Sequence, residues 1–263
     1  MPKVWAFVSP VGGKGQSTFC MHLAAALAVD GKKAVLVDTS CFHPSLDVLC
    51  GVSEQVVYTV SDVVNGSVSP ERALLPISFS VEKGVDASFR LLPISPMESL
   101  SQEMFARALD ALSAEGDADF IIMDVHPSFY EAIRALADAS FLLTDATASG
   151  LRAAEAFAAA NPQLARFLLM RASLKAEEIR NEPSLLDIID LVSLPIGGIV
   201  PYEPLCADNR PLYQKRFRKT AYMRAVKNIA QRLAGNDVPL LRDVPLDGIT
   251  RRAYLERVSR KGI

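Results

Sequence analysis

Val4-Trp5-Ala6-Phe7-Val8-Ser9-Pro10-Val11-Gly12-Gly13-Lys14-Gly15-Gln16-Ser17-Thr18 passes from a short apolar run into a glycine-rich loop. Thr18 to Val29 follows, apolar on nearly every face, and reads as a buried helix stopped by Gly31. A strand, a glycine loop and a helix start in this order make an anion site. Loop N–H groups converge on phosphate and the helix dipole adds positive potential. The polar loop interrupts the apolar run at once, which argues against a signal peptide.

Two further apolar runs, Ala34 to Asp38 and Phe120 to Asp124, each close on an aspartate. Phe89–Ile94, Ser140–Thr144, Ala165–Met170 and Ile196–Val200 also read as strands. Helical patterns cover 45–50, 58–65, 97–115, 129–138, 151–160, 176–190 and 221–233. Strands that are apolar without alternation are buried on both faces. The expected fold is therefore α/β: a doubly wound, mostly parallel sheet with helices on both faces. It is expected to form one domain over residues 1–263, with no repeat or linker. Ligands of such sheets sit beyond the carboxyl ends of the strands. There Ser17, Asp38 and Asp124 form a candidate Mg²⁺ set, directly or through water.

Hydrophobic residues make up 50% and charged residues 22% of 263, which excludes disordered and collagen-like chains. Four cysteines without a C-x-x-C pair exclude a metal knuckle and a disulfide framework, and fit a reducing cytosol. No apolar run is long enough to span a membrane. His22 is expected in the core, His43 in a surface loop and His126 in a turn. No spacing among them suggests a metal site or a hydrolase triad. The net charge of −2 hides an asymmetry. Residues 209–263 hold 14 Lys/Arg against 4 Asp/Glu. This basic C-terminal segment either faces something anionic or neutralises an acidic neighbour in the same fold.

A strict search for G-x-x-x-x-G-K-[ST] misses the loop, because Pro10 and Gln16 stand for its first glycine and its lysine. The chain nevertheless resembles the MinD/ParA family of P-loop proteins over nearly its whole length. The family's K-G-G-x-G-K-[ST]-T is similar to Val11-Gly12-Gly13-Lys14-Gly15-Gln16-Ser17-Thr18. Its D-x-D block resembles Asp38-Thr39-Ser40, with Ser45-Leu46-Asp47 after it. Its strand ending in D-x-P-P resembles Asp124-Val125-His126-Pro127. Gly150-Leu151-Arg152-Ala153-Ala154 and Val200-Pro201-Tyr202-Glu203 match two later blocks in order. The resemblance implies a nucleotide loop of Gly12, Gly13, Lys14, Gly15, Gln16, Ser17 and Thr18. It implies ATP or ADP as cofactor, with Mg²⁺ held by Ser17, Asp38 and Asp124.

The departures fall on the chemistry. Gln16 replaces the lysine on the β- and γ-phosphates, and Val11 replaces the lysine that crosses an ATP-bound dimer. Ser40 replaces the second carboxylate, and Met170, before Arg171, replaces the asparagine that reads adenine. Lys14 occupies the variable loop position, whose side chain should point away from the phosphates. No catalytic residue is assigned, and nucleotide binding is expected to be weak or absent, with hydrolysis lost. The resemblance then implies a degenerate scaffold or positioning factor of a pilus- or secretion-type assembly. Its expected partners are bacterial proteins, an anionic membrane surface ahead of DNA, and a second copy in a homodimer. Its expected place is the cytoplasm, peripheral to the inner membrane. The alternatives are an active ATPase switch for division, flagellar or chromosome positioning, and a nonspecific DNA-binding partition protein.

Overall fold

The computed structural model describes residues 1–82, 85–96, 100–172, 183–207, 217–240, 252–253 and 255–256. The strands are β1 (Lys3–Val8), β2 (Ala34–Asp38), β3 (Leu75–Glu82), β4 (Val85–Leu92), β5 (Phe120–Val125), β6 (Ala139–Asp145), β7 (Arg166–Ala172) and β8 (Ile196–Pro201). They form one sheet in the order β3-β4-β2-β5-β1-β6-β7-β8. Every described pairing is parallel except β3 with β4. The expected doubly wound architecture is thus present. The chain enters at β1, fills one side through β5, then crosses to β6 on the other. The loop after β1 lies at this reversal, where open sheets hold their ligands.

The helices are α1 (Gln16–Val29), α2 (Leu46–Cys50), α3 (Val60–Val64), α4 (Pro70–Ala73), α5 (Gln102–Ala114), α6 (Tyr130–Ile133), α7 (Ala148–Ala160), α8 (Leu185–Leu191) and α9 (Ala221–Leu233). The pleat of β1 divides the core into two layers. Val4, Ala6 and Val8 pack with α3, α5, α6, α7 and α8 on one face. Trp5 and Phe7 pack with α1 and α9 on the other. Phe19 through Leu27 are all buried because α1 is covered by the sheet, α2 and α9.

Several boundaries differ from the sequence reading. The pattern over 129–138 yields only α6, because the chain turns back to β1: Asp138 accepts the Val4 N–H at 2.7 Å. Helix α5 starts at Gln102, where the Ser101 hydroxyl accepts the Met104 N–H at 3.3 Å; residues 97–99 lie outside the described set. Of the helix expected over 176–190, residues 173–182 lie outside it too. The rest is α8, started by a capping box of Ser184 and Asp187. The strand expected at Phe89–Ile94 begins earlier, at Val85, and pairs with β3, which was not anticipated. Its signal is alternation: Ile77 and Phe79 are buried while Pro76, Ser78 and Ser80 are exposed. That is a half-solvated edge strand, where proline is tolerated.

Much of the basic C-terminal segment, including residues 208–216 and 241–251, lies outside the described residues. Helix α9 is described, and it is a core helix. Tyr222, Met223, Val226, Ile229 and Ala230 are buried. Its basic face is partly matched within the fold: Lys227 lies 3.5 Å from Asp30, and Arg232 donates to the carbonyls of Gly197 and Pro239. Among the described residues, no helix is long and apolar enough to cross a membrane.

His22 lies between α1 and α9, as expected for a core histidine. It is buried, with Nδ1 3.1 Å from the Tyr222 hydroxyl. Burial pushes its pKa down to about 3. The unfolded chain therefore binds the extra proton below the ordinary value of 6.5, and stability is lost as pH falls from there toward about 3. At about pH 5 the loss is on the order of 2 kcal/mol. Melting temperatures of wild type and His22→Gln across this range test it. The wild type should lose stability faster on acidification, and parallel curves would refute the assignment.

Candidate functional site

The β2–β5 register sets Asp38 beside Asp124, and the β1–β5 register sets Phe7 beside Asp124. The loop from Ser9 to Gly15 starts at this edge and runs into α1. Gly13 (φ 74°) and Gly15 (φ 82°) are left-handed, a conformation glycine adopts without a Cβ penalty. Gly15 is the N-cap residue and no side chain caps α1, so first-turn N–H groups remain for an anion. A cavity of about 550 Å³ lies over the loop, lined by Ser9 through Thr18 with Ser40, Ser45 and His126. Lys14 is the one Lys or Arg among the described residues that line it.

Three carboxylates close strands at this edge. Asp38 accepts N–H groups of Ser40 (2.8 Å), Ser45 (3.3 Å) and Leu46 (3.2 Å), and so anchors the segment that enters α2. Burial nevertheless leaves its pKa raised. Asp124 is fully buried. Burial first, then the Asp38 charge, push it up to about 7, against hydrogen bonds from Ser17 and Gln16. Its Oδ2 has no hydrogen-bond partner among the described residues. Asp145, at the end of β6, accepts the Lys14 ammonium at 2.6 Å and the Thr147 hydroxyl at 2.6 Å. Burial alone would raise its pKa, but these bonds and the Lys14 charge hold it below the usual carboxylate range.

Gln16 turns inward. Its Nε2 donates to the Phe7 carbonyl (3.0 Å), the Val125 carbonyl (2.9 Å) and Asp124 Oδ1 (2.5 Å). It staples β1 to β5 beneath the loop. Lys14 reaches to the end of β6, where its ammonium meets Asp145. Arg171, after Met170 on β7, takes the left-handed region (φ 54°), which costs a non-glycine residue roughly 1–2 kcal/mol. Its guanidinium donates to the Gly13 carbonyl at 3.2 Å and lies 5.4 Å from the centre of the Tyr202 ring. A second cavity of about 250 Å³ opens here, lined by Gly13, Lys14, Met170, Arg171, Tyr202 and Glu203 among others.

The structure thus brings Gly12, Gly13, Lys14, Gly15, Gln16, Ser17 and Thr18 to one cavity, whereas Asp38 and Asp124 are buried at the neighbouring strand ends and do not line it. Of the expected Mg²⁺ set, Asp124 keeps one oxygen without a hydrogen-bond partner among the described residues, while the Asp38 carboxylate is bonded to main chain. His43 is exposed, and His126 Nδ1 accepts the Ser128 N–H at 3.3 Å, a turn role. Among the described residues no group of three or more His, Cys, Asp or Glu is arranged to hold a metal. Sequence reasoning missed Asp145. The signal was there: Phe141-Leu142-Leu143-Thr144-Asp145 is an apolar run closing on aspartate, like those ending at Asp38 and Asp124.

No family model matches the chain. Over 257 residues it is 28% identical to the septum site-determining protein MinD of Synechocystis sp., covering 92% of each chain. The MinC:MinD cell division protein complex of Aquifex aeolicus contains a chain 25% identical, with a TM-score of 0.77 over 90% of this chain and 98% of that one. The septum site-determining protein MinD complexed with Mg-ADP from Pyrococcus horikoshii shares the fold, with a TM-score of 0.66 and 20% identity over 89% and 98%. The ordered blocks, the sheet order and the loop geometry agree with these comparisons: along nearly its whole length this chain is similar to the MinD/ParA family of P-loop ATPases and shares their fold.

Proposed function

We propose that this chain is a MinD/ParA-type scaffold or positioning factor that binds ATP or ADP with Mg²⁺ weakly or not at all and turns over ATP negligibly. The observation that carries this reading is the Gln16 amide, bonded to Phe7, Val125 and Asp124 instead of being directed at the loop mouth. The Pyrococcus relative, described with Mg-ADP, supports nucleotide as the ligand class. The amides of Gly12 to Ser17 would take the phosphates, and Ser17 with Asp124, over Asp38, would hold the cation. Mg²⁺ there would neutralise phosphate charge. Phosphoryl transfer rests on such electrostatic stabilisation, and losing one preorganised donor costs about 10²–10³ in rate. Three positions depart here: Gln16 is neutral, Ser40 carries no carboxylate, and Val11 offers nothing to a partner's site.

A division-positioning switch is the second reading, favoured by similarity to a septum site-determining protein along 92% of both chains. Turnover separates the two. Purified protein, with and without acidic liposomes and duplex DNA, should show ATPase indistinguishable from a Gly13→Asp control. Turnover near about one per minute that vanishes in the control would establish the switch.

Peripheral attachment of the basic segment to an anionic membrane, ahead of DNA, belongs to the same proposal. Any such binding should be weak and salt-sensitive. At low salt the chain should sediment with acidic liposomes more than it shifts duplex DNA. Failure in both assays would leave the charge to the fold or to a protein partner, as the Lys227–Asp30 contact already illustrates.

Asp124 supplies a further prediction. Its raised pKa means that the native protein holds a proton the unfolded chain has lost between 3.8 and about 7. Stability from this group is present below that window and is lost as pH rises through it. Gln16→Lys sets a cation against the carboxylate and should remove the loss. The variant's melting temperature, relative to wild type, should rise from pH 5 to 8; an unchanged difference would refute the charge deficit.

A further inference from the structure

Lys14 lines both cavities, yet its ammonium is bonded beneath the loop to Asp145 Oδ2 at 2.6 Å. Both side chains are mostly withdrawn from solvent, at 13% and 9% exposure. The carboxylate is held for this purpose. Its Oδ1 accepts the Thr147 hydroxyl at 2.6 Å and the Thr147 N–H at 3.3 Å. Helix α7 leaves room for it: a Cβ on Gly150 would stand 2.1 Å from Asp145 Oδ1. Asp145 is therefore fixed at one end by its own corner, and the flexible lysine is the partner able to leave.

We propose that Asp145 is an internal competitor for Lys14, an autoinhibitory contact that keeps the loop's ammonium away from phosphate. The inference rests on the loop being an anion site. Lys14 is the only Lys or Arg among the described residues lining the loop cavity, so its whereabouts set the charge that a phosphate meets. A phosphate must offer Lys14 more than a buried, hydrogen-bonded carboxylate does, and pairs of that kind are among the stronger polar contacts. In the wild type Lys14 then adds nothing to anion affinity, and the loop binds through main-chain N–H groups alone. Removing the Asp145 charge frees the ammonium. One charge-assisted hydrogen bond gained by the ligand corresponds to about 10- to 100-fold in affinity.

The test is calorimetric titration of the full chain with inorganic pyrophosphate at fixed ionic strength. Asp145→Asn should bind at least about 10-fold more tightly than wild type. The double variant Lys14→Met/Asp145→Asn should return to within about twofold of wild type, because the gain requires Lys14. The double variant leaves no lone buried charge, so it folds even if Asp145→Asn does not. Pyrophosphate binding by Asp145→Asn that is no tighter than wild type overturns the competitor while leaving the anion site intact. A double variant about 10-fold weaker than wild type overturns it as well, since Lys14 would already be serving the ligand. Should neither the wild type nor any variant bind pyrophosphate, the anion-site reading itself falls and takes the inference with it.

Discussion

Asp38 and Asp124 face each other across adjacent strands, buried and without a lysine at the loop position between them. This pairing governs the edge of the sheet where function is expected. Burial raises the pKa of both carboxylates, the Asp38 charge adds to the shift of Asp124, and each must be matched by donors or by a proton. Asp38 is matched by three main-chain N–H groups from the segment that follows it, which fixes the entry to α2. Asp124 is matched on one oxygen by Gln16 and left orphaned on the other. A third strand-end carboxylate, Asp145, takes Lys14. The donors nearest the loop are thus drawn inward, toward protein acids and carbonyls.

Such an arrangement builds a loop that is shaped for phosphate but poor in charge. Its shape comes from left-handed Gly13 and Gly15, from the Gln16 staple between β1 and β5, and from Arg171 on the Gly13 carbonyl. None of these supports needs a ligand. Among the described residues lining it, in contrast, only Lys14 carries a cation, and that is paired to Asp145, so little opposes charge on a phosphoryl group. Shape without charge suits a protein whose partner contacts do not wait on hydrolysis.

The sheet was legible because its central strands are apolar without alternation, and Asp38 and Asp124 were legible because they end such strands. The β3–β4 edge hairpin was not anticipated. Its alternating Leu75-Pro76-Ile77-Ser78-Phe79-Ser80 carries a different period from the buried strands around it, and a proline besides. The ends of α5 and α6 depended on Ser101 as a cap and on Asp138 pairing with Val4, contacts that hydrophobic periodicity does not report. At the site, motif spacing placed every loop residue, yet not where Lys14 and Gln16 send their side chains. Those directions depend on Asp145 and Asp124, which are brought to the loop from 131 and 108 residues away.

The proposed function requires that a loop whose Gln16 and Lys14 are turned to Asp124 and Asp145 does not read a γ-phosphate. The most direct measurement is calorimetric comparison of Mg-ADP and Mg-ATP binding to the purified full chain. Dissociation constants equal within about threefold are expected, since the third phosphate meets no added cation. ATP binding about 10-fold or more tightly than ADP would show a cation at the γ-phosphate position and contradict the account.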